Sequence, residues 1–234
     1  MTDRGNQVPR DLQEALRRTA SSLGKTFKVV GSLNGKQDAP MPERNTVVHF
    51  GAALLGLSYA VYAEPKLGGD GRSGRADLLA SNGALSYVAE VKTFGRKDLA
   101  LVRNDAQRVH DFVPCPDDRS DNTDALEFWT ASERWGVVLV QCFCGSRPSK
   151  NSPSAPGEFQ ELWRAQVEDP SGFRAKLADS GDVPAGAKDD FQGLADLLQG
   201  WGAHVGVEHI SDDIWLGTPP LRLLWAAFRR LPGS

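Results

Sequence analysis

The stretch GRADLLASNGALSYVAEVK, residues 74–92, has two short apolar segments on either side of Asn82-Gly83. An Asn-Gly pair between apolar segments is the strongest short-range signal for a β-hairpin. Three charged residues, Asp77, Glu90 and Lys92, lie among the apolar ones. A hairpin that serves only to build a core has no need of these charges. The stretch therefore predicts a β-hairpin with a candidate active site on one face.

The faces of this hairpin follow from its pairing. If Asn82-Gly83 is a two-residue turn, Ser81 pairs with Ala84 and Asp77 faces Val88. Opposed residues, and residues two apart on one strand, project from the same side of a sheet. The charges then share one face, whereas a one-residue slip would scatter them. The other face is almost wholly apolar: Ala76, Leu78, Ala80, Leu85, Tyr87, Ala89 and Val91.

Two carboxylates on one face predict a cation between them. Mg²⁺ or Mn²⁺ takes oxygen ligands, commonly one or two carboxylates together with water and substrate phosphate. Asp77 and Glu90 can supply the carboxylates, and the carbonyl of Val91 can add a third oxygen. Lys92 can orient a metal-bound water or help to deprotonate it. Glu43 can add a carboxylate if its helix packs against this face.

Periodicity outside the hairpin predicts an α/β fold. Apolar residues recur at helical spacing in 9–23, 42–57 and 98–112, and β-forming residues cluster in 58–64 and 136–145. From residue 42 the order is helix, three strands, helix, strand. Shorter elements are a strand at 27–31 and a helix around 125–135. The last third predicts helices at 158–179 and 188–200, a strand at 203–210 and a final helix at 219–231.

The pattern of Asp77, a hairpin and then Glu90-Val91-Lys92 resembles the PD-(D/E)XK, or restriction-endonuclease-like, nuclease superfamily. The core of that superfamily is helix, three strands, helix, strand, with a mixed central sheet flanked by helices. Gly74, Arg75 and Asp77 are similar to the GR-x-D motif in the N-terminal nuclease domains of restriction motor subunits and in related stand-alone defence nucleases.

The resemblance implies a Mg²⁺- or Mn²⁺-dependent endonuclease that acts on DNA in restriction or antiviral defence. It gives metal binding to Asp77, Glu90 and Val91, with Glu43 as the helix acid and Lys92 positioning water. It gives Gln107 a supporting catalytic role on the following helix, although Phe112 or His110 stands where relatives carry tyrosine. The implied partners are DNA and either a second copy or another subunit of a defence complex.

Composition narrows the class of protein. The 234 residues are 40% hydrophobic and contain neither a membrane-length apolar run nor the apolar segment of a secretory signal. Three cysteines argue against a disulfide scaffold, so we expect a cytoplasmic protein without a membrane partner. A net charge of -3 is atypical of a nucleic-acid binder. Phosphate contacts must then come from a local basic patch, for which the candidates are Arg72, Arg75, Arg96, Lys97, Arg103 and Arg108.

Four segments divide the chain: an N-terminal helix and short strand (1–40), the nuclease core (41–145), a flexible loop (146–157) and a mainly helical C-terminal extension (158–234). The alternatives are a catalytically silent or regulated binding module on the same fold, and a nuclease that cuts RNA. The charged residues can also form a surface ion-pair cluster of small energetic value. Glu64, at a strand end, is an alternative to Glu43 as the additional acid near the metal.

Overall fold

The computed structural model of this protein describes ten stretches of the chain. They cover the hairpin and most of the predicted helices and strands. The described residues are 7–34, 43–63, 67–68, 76–94, 99–111, 113–114, 133–143, 158–181, 183–211 and 221–230.

Fourteen elements are found in these stretches, six helices and eight strands. The helices are α1 (Arg10–Asn34), α2 (Glu43–Leu55), α3 (Leu99–His110), α4 (Glu158–Glu168), α5 (Pro170–Asp179) and α6 (Ala185–Gly200). The strands are β1 (Ala60–Ala63), β2 (Leu67–Gly68), β3 (Leu78–Ser81), β4 (Leu85–Phe94), β5 (Val113–Pro114), β6 (Glu133–Phe143), β7 (His204–Ser211) and β8 (Leu221–Arg230). None of the described helices is long and apolar enough to span a bilayer.

Six strands form one mixed sheet in the order β1-β3-β4-β6-β8-β7. Strands β4 and β6 are parallel, and the other neighbouring pairs are antiparallel. The parallel pair is joined through α3, as expected because parallel neighbours need a crossover connection. A separate two-stranded ladder joins β2 to β5. The predicted mixed sheet with flanking helices is confirmed.

The sheet is covered on both faces. On one face α1 and α2 pack through Leu16 and Phe50 against Tyr87 and Trp135. On the other face a second apolar cluster joins α3 to α6 with the sheet, with Phe191 as one of its fully buried members. Both layers exclude water, so any polar side chain that points into them must find a partner within the protein.

The hairpin has the predicted faces but a different register. Leu78 pairs with Ala89 and Ser81 pairs with Ser86, so the predicted Ser81–Ala84 pairing is wrong by two residues. The side-chain oxygen of Asn82 accepts hydrogen bonds from the backbone N–H groups of Ala84 and Leu85, which moves the tight turn onto Gly83-Ala84. Gly83 has φ 87°, a conformation that glycine adopts without strain.

A displacement of two residues keeps the paired side chains of β3 and β4 on their predicted faces, because the side-chain period of a strand is two. Continued outward, the observed register brings Asp77 level with Glu90 instead of Val88. The pairing becomes irregular there, since the Asp77 N–H donates to the Ala89 carbonyl at 3.1 Å. As a result Ala76 packs with Val88, on the face opposite to the predicted one.

Two predicted elements are wrong. The segment 27–31 is not a strand but part of α1, where Phe27 packs against the apolar core. The final predicted helix is β8, which lies between β6 and β7. The C-terminal region therefore supplies two long strands of the central sheet in addition to three helices. The loop 146–157 and most of the helix predicted around 125–135 lie outside the described residues.

Candidate functional site

Three elements meet beside the C-terminal half of β4 and form a cluster of charged side chains. The N-terminus of α2 contributes Glu43, whose Oε1 accepts a hydrogen bond from the Thr93 N–H at 3.1 Å. The start of the hairpin contributes Asp77, whose Oδ2 accepts one from the Val91 N–H at 2.7 Å. Both carboxylates are therefore anchored to the backbone of β4.

Glu90 is the most deeply buried acid of the cluster, with 2% of its surface exposed. Burial raises its pKa to about 8, and the negative charge of Asp77 contributes to the same shift, while the charge of Arg108 opposes it. The two carboxyl groups are neighbours, because Asp77 binds the N–H of Val91, the residue that follows Glu90. Two carboxyl groups this close either share a proton or hold a cation.

Lys92 is held from two sides. Its Nζ lies 3.1 Å from Asp105 Oδ2 and 3.9 Å from Glu43 Oε2. Burial alone would lower the pKa of Lys92, but the charges of Asp105, Glu43 and Glu90 outweigh it and raise this pKa. Lys92 is consequently a protonated ammonium group at neutral pH.

Helix α3 adds two residues that the sequence prediction did not include among the catalytic ones. Asp105 is buried, which raises its pKa even though Lys92 and Arg108 act against the shift. The Arg108 guanidinium bridges two acids: its Nη2 lies 2.8 Å from Glu90 Oε1 and 2.7 Å from Asp105 Oδ1. One signal pointed to Asp105: it lies three residues from Val102 and four from Val109, beside the apolar stripe of α3.

Other predicted site residues are placed elsewhere. Gln107 is on α3, but its side-chain amide donates to Asp111 at 2.8 Å. Arg103 forms an ion pair of 3.1 Å with Asp190 on α6. Val91 offers its N–H to Asp77, and its own side chain is buried in the layer under α1 and α2. The other predicted residues lie outside the described stretches: Glu64, Arg72, Arg75, Arg96 and Lys97.

The charges of the cluster do not balance. Four carboxylates, those of Glu43, Asp77, Glu90 and Asp105, face two cations, those of Lys92 and Arg108. With every group ionised the formal charge is about −2, and the two innermost carboxyl groups still repel each other. One divalent cation would neutralise this excess.

The donor set fits Mg²⁺ better than a metal that needs many protein ligands. Among the described residues no group of three or more His, Cys, Asp or Glu side chains is arranged to hold an ion. Asp77 and Glu90 provide two carboxylates, and Mg²⁺ typically takes one or two, filling the remaining positions with water and substrate phosphate. The residues present are thus compatible with that ion and unlike a structural zinc site.

The described part of the chain is a mixed α/β protein in which a buried glutamate, a neighbouring aspartate and a lysine lie on or beside β4, an interior strand of the central sheet. No family model matches the chain, and neither a curated protein nor a solved structure is significantly similar to it. The chemistry of the cluster is consequently the main guide to function.

Proposed function

We propose that this protein is a metal-dependent nuclease of the PD-(D/E)XK type that hydrolyses phosphodiester bonds in DNA. The observation that carries the proposal is the position of Asp77 beside the buried Glu90: Asp77 Oδ2 accepts a hydrogen bond of 2.7 Å from the N–H of Val91, the residue between Glu90 and Lys92. A buried carboxylate next to a second one is expensive unless it serves a ligand.

The fold supports this proposal. From α2 to β6 the helices and the sheet strands follow the order expected of the superfamily: α2, then β1, β3 and β4, then α3, then β6. In the sheet β1, β3, β4 and β6 are consecutive neighbours, and the charged cluster lies on β4, the third of these strands. Glu43 at the start of α2 reaches the same place, as a helix acid should.

Each residue has a proposed role that follows from its contacts. Asp77 and Glu90 would hold Mg²⁺ or Mn²⁺, which when bound lowers the pKa of a coordinated water and offsets charge on the phosphate. Lys92, whose pKa the neighbouring acids raise, would orient the attacking water and stabilise negative charge. Asp105 holds Lys92 in place and takes the supporting position that the resemblance gave to Gln107.

A second candidate function has its own support. Arg108 and Lys92 already pair with the acids, so the cluster can also be an ion-pair network that shapes a binding or assembly module without cleavage. A protein of net charge -3 fits such a module at least as well as it fits a free nuclease. Metal-dependent cleavage separates the two functions.

The test is cleavage of supercoiled plasmid and of a matched RNA with Mg²⁺, with Mn²⁺ and with EDTA. We expect metal-dependent cutting of DNA that falls by about 10³-fold in Asp77→Ala and in Lys92→Ala, because charge stabilisation by metal and ammonium is worth several kcal/mol. Arg17→Ala, on the exposed surface of α1, is the matched control and should cut normally. Cutting of RNA alone would show that RNA is the substrate. Equal cleavage rates in the wild type and Asp77→Ala would refute the proposed site.

A defence role is part of the same proposal. It comes from the resemblance to restriction and stand-alone defence nucleases. The protein would act as a homodimer or as a subunit of a larger complex. A plaque assay with the Asp77→Ala variant tests it: protection against phage should require the carboxylate.

A further inference from the structure

We propose that Arg108 is a displaceable counterion that competes with the divalent cation for Glu90 and, once displaced, binds a phosphate of the nucleic acid. This inference rests on the proposed function and adds a regulatory step to it. Arg108 would offset part of the negative charge of the metal-free site and would couple metal binding to substrate binding.

The first support is the position of the guanidinium. Nη2 and Nε of Arg108 lie 2.8 Å and 3.0 Å from the same oxygen, Oε1 of Glu90. That oxygen belongs to the carboxyl group that faces Asp77. A cation held between Glu90 and Asp77 would meet the positive charge of Arg108 at contact distance, where like charges repel strongly. Metal binding therefore favours a state in which Arg108 has left Glu90.

The second support is that Arg108 has somewhere to go. Its side chain is 38% exposed, while the Glu90 side chain that it contacts is 2% exposed. The charged head therefore lies at the outer edge of the cluster, at the end of a flexible stem. Guanidinium groups bind phosphate in a bidentate manner, so a nucleic-acid backbone offers Arg108 a replacement for the carboxylate.

The third support is an asymmetry between the two cations of the cluster. Asp105 contacts both Arg108 and Lys92, and Lys92 also lies near Glu43. If Arg108 leaves, Asp105 keeps Lys92 as its partner, and only Glu90 loses its counterion. The site then needs one new cation at the carboxyl group that faces Asp77, which is the place proposed for the metal.

Two consequences can be measured. Removing Arg108 should strengthen metal binding in the absence of nucleic acid, because the competitor is gone. In the wild-type protein DNA should also strengthen metal binding, because phosphate holds Arg108 away from Glu90, and this coupling acts equally in both directions. If Arg108 were purely structural, removing it would not strengthen metal binding, and the effect of DNA on metal binding would be the same in the variant as in the wild type.

The experiment is an Mn²⁺ titration of the full chain followed by electron paramagnetic resonance, with and without a short DNA duplex shown by gel to remain intact. For the wild type we expect the duplex to tighten Mn²⁺ binding about fivefold or more, within the usual range of coupling between two sites. For Arg108→Ala we expect tighter binding, by about tenfold, without DNA and less than about twofold further tightening with it.

Two variants make the result specific. Arg108→Lys keeps the charge but loses the fork of donors, so its Mn²⁺ affinity should lie between those of the wild type and Arg108→Ala. Arg174→Ala removes an exposed arginine paired at 3.5 Å with Asp196 on α6 and should bind Mn²⁺ like the wild type. If Arg108→Ala does not fold, the ordering of Arg108→Lys against the wild type decides the question.

The outcomes separate this inference from the proposed function. If the wild type binds Mn²⁺ and cuts DNA, but Arg108→Ala binds Mn²⁺ no more tightly or keeps the DNA coupling, the competition is refuted and the nuclease stands. If the wild type binds no Mn²⁺, both are refuted.

Discussion

The two faces of β4 carry side chains of different chemistry. Toward α1 and α2 the strand presents Tyr87 and Val91, which are packed among apolar residues. Toward α3 it presents Glu90 and Lys92, whose charges are balanced only by other charged side chains. The same strand thus contributes alternate residues to an apolar core and the residues between them to a charged cluster.

The tyrosine hydroxyls on the apolar face are hydrogen-bonded within the protein. The Tyr87 and Tyr59 hydroxyls lie 3.3 Å apart, and Tyr59 donates to Asp11 at 3.1 Å. Burial raises the pKa of Tyr59 to about 12, so the hydroxyl is neutral at physiological pH. Hydrogen-bonded neutral groups cost little to bury, whereas buried charges seldom stabilise a fold better than apolar side chains would. The charged face is therefore better explained by function than by stability.

Breaking the apolar face should have the largest effect on stability. Phe50 on α2 is fully buried, so Phe50→Ala should lower the free energy of unfolding by about 3–5 kcal/mol through lost burial and a cavity. Urea denaturation measures this loss. Val48→Ala, on the exposed side of the same helix, should change it by less than about 0.5 kcal/mol. Equal losses in the two variants would mean that α2 does not pack as described.

Neutralising the charged face should have a smaller effect on stability that depends on pH. The folded-state pKa of Glu90 lies above its unfolded value, so the folded protein binds the extra proton. The stability of the metal-free wild type should then fall as pH rises from about 4.5 to about 8 and level off above that. Glu90→Gln removes this contribution. Its free energy of unfolding should therefore rise relative to that of the wild type over that window, by on the order of a few kcal/mol.

Thermal unfolding of both proteins in EDTA, at intervals from pH 5 to pH 9, measures that difference. Tyr59→Phe on the other face is the control, because the neutral hydroxyl of Tyr59 does not titrate in this window. A Glu90→Gln variant that loses stability relative to the wild type as pH rises would show that Glu90 is ionised and satisfied by Arg108 alone.

A buried polar contact between α2 and β6 should respond least. Thr46 Oγ1 on α2 donates to Gln141 Oε1 on β6 at 3.0 Å, and both side chains are buried. Thr46→Val should cost about 1–2 kcal/mol because Gln141 loses a donor. The double variant Thr46→Val with Gln141→Leu should recover part of this loss in urea denaturation, since no polar group is then left without its partner. If the double variant is no more stable than Thr46→Val, the loss of stability comes from packing and not from the unpaired amide oxygen of Gln141.

The faces of the hairpin could be predicted from sequence because they depend only on parity. The exact pairing could not: the Asn82 side chain competes for two backbone N–H groups and shifts the turn by one residue. The shift left Asp77, Glu90 and Lys92 on one face, so the site prediction tolerated the error in register.

The C-terminal strand could not be recognised from its pattern. Strand β8 lies inside the sheet and is buried along nearly its whole length, so it lacks the alternation that identifies a half-exposed strand. Asp105 and Arg108 were hard to identify for a different reason. Their role depends on α3 packing across β4, a contact that spacing along the chain does not encode.

The central claim is that Asp77 and Glu90 converge on one divalent cation. The most direct measurement is anomalous diffraction from crystals of the protein soaked in Mn²⁺, with Asp77→Asn crystals soaked in parallel. We predict one manganese peak within coordinating distance of both carboxylates, absent from the variant. A wild-type map with the two carboxyl groups turned apart, or with no peak between them, would contradict the proposed site.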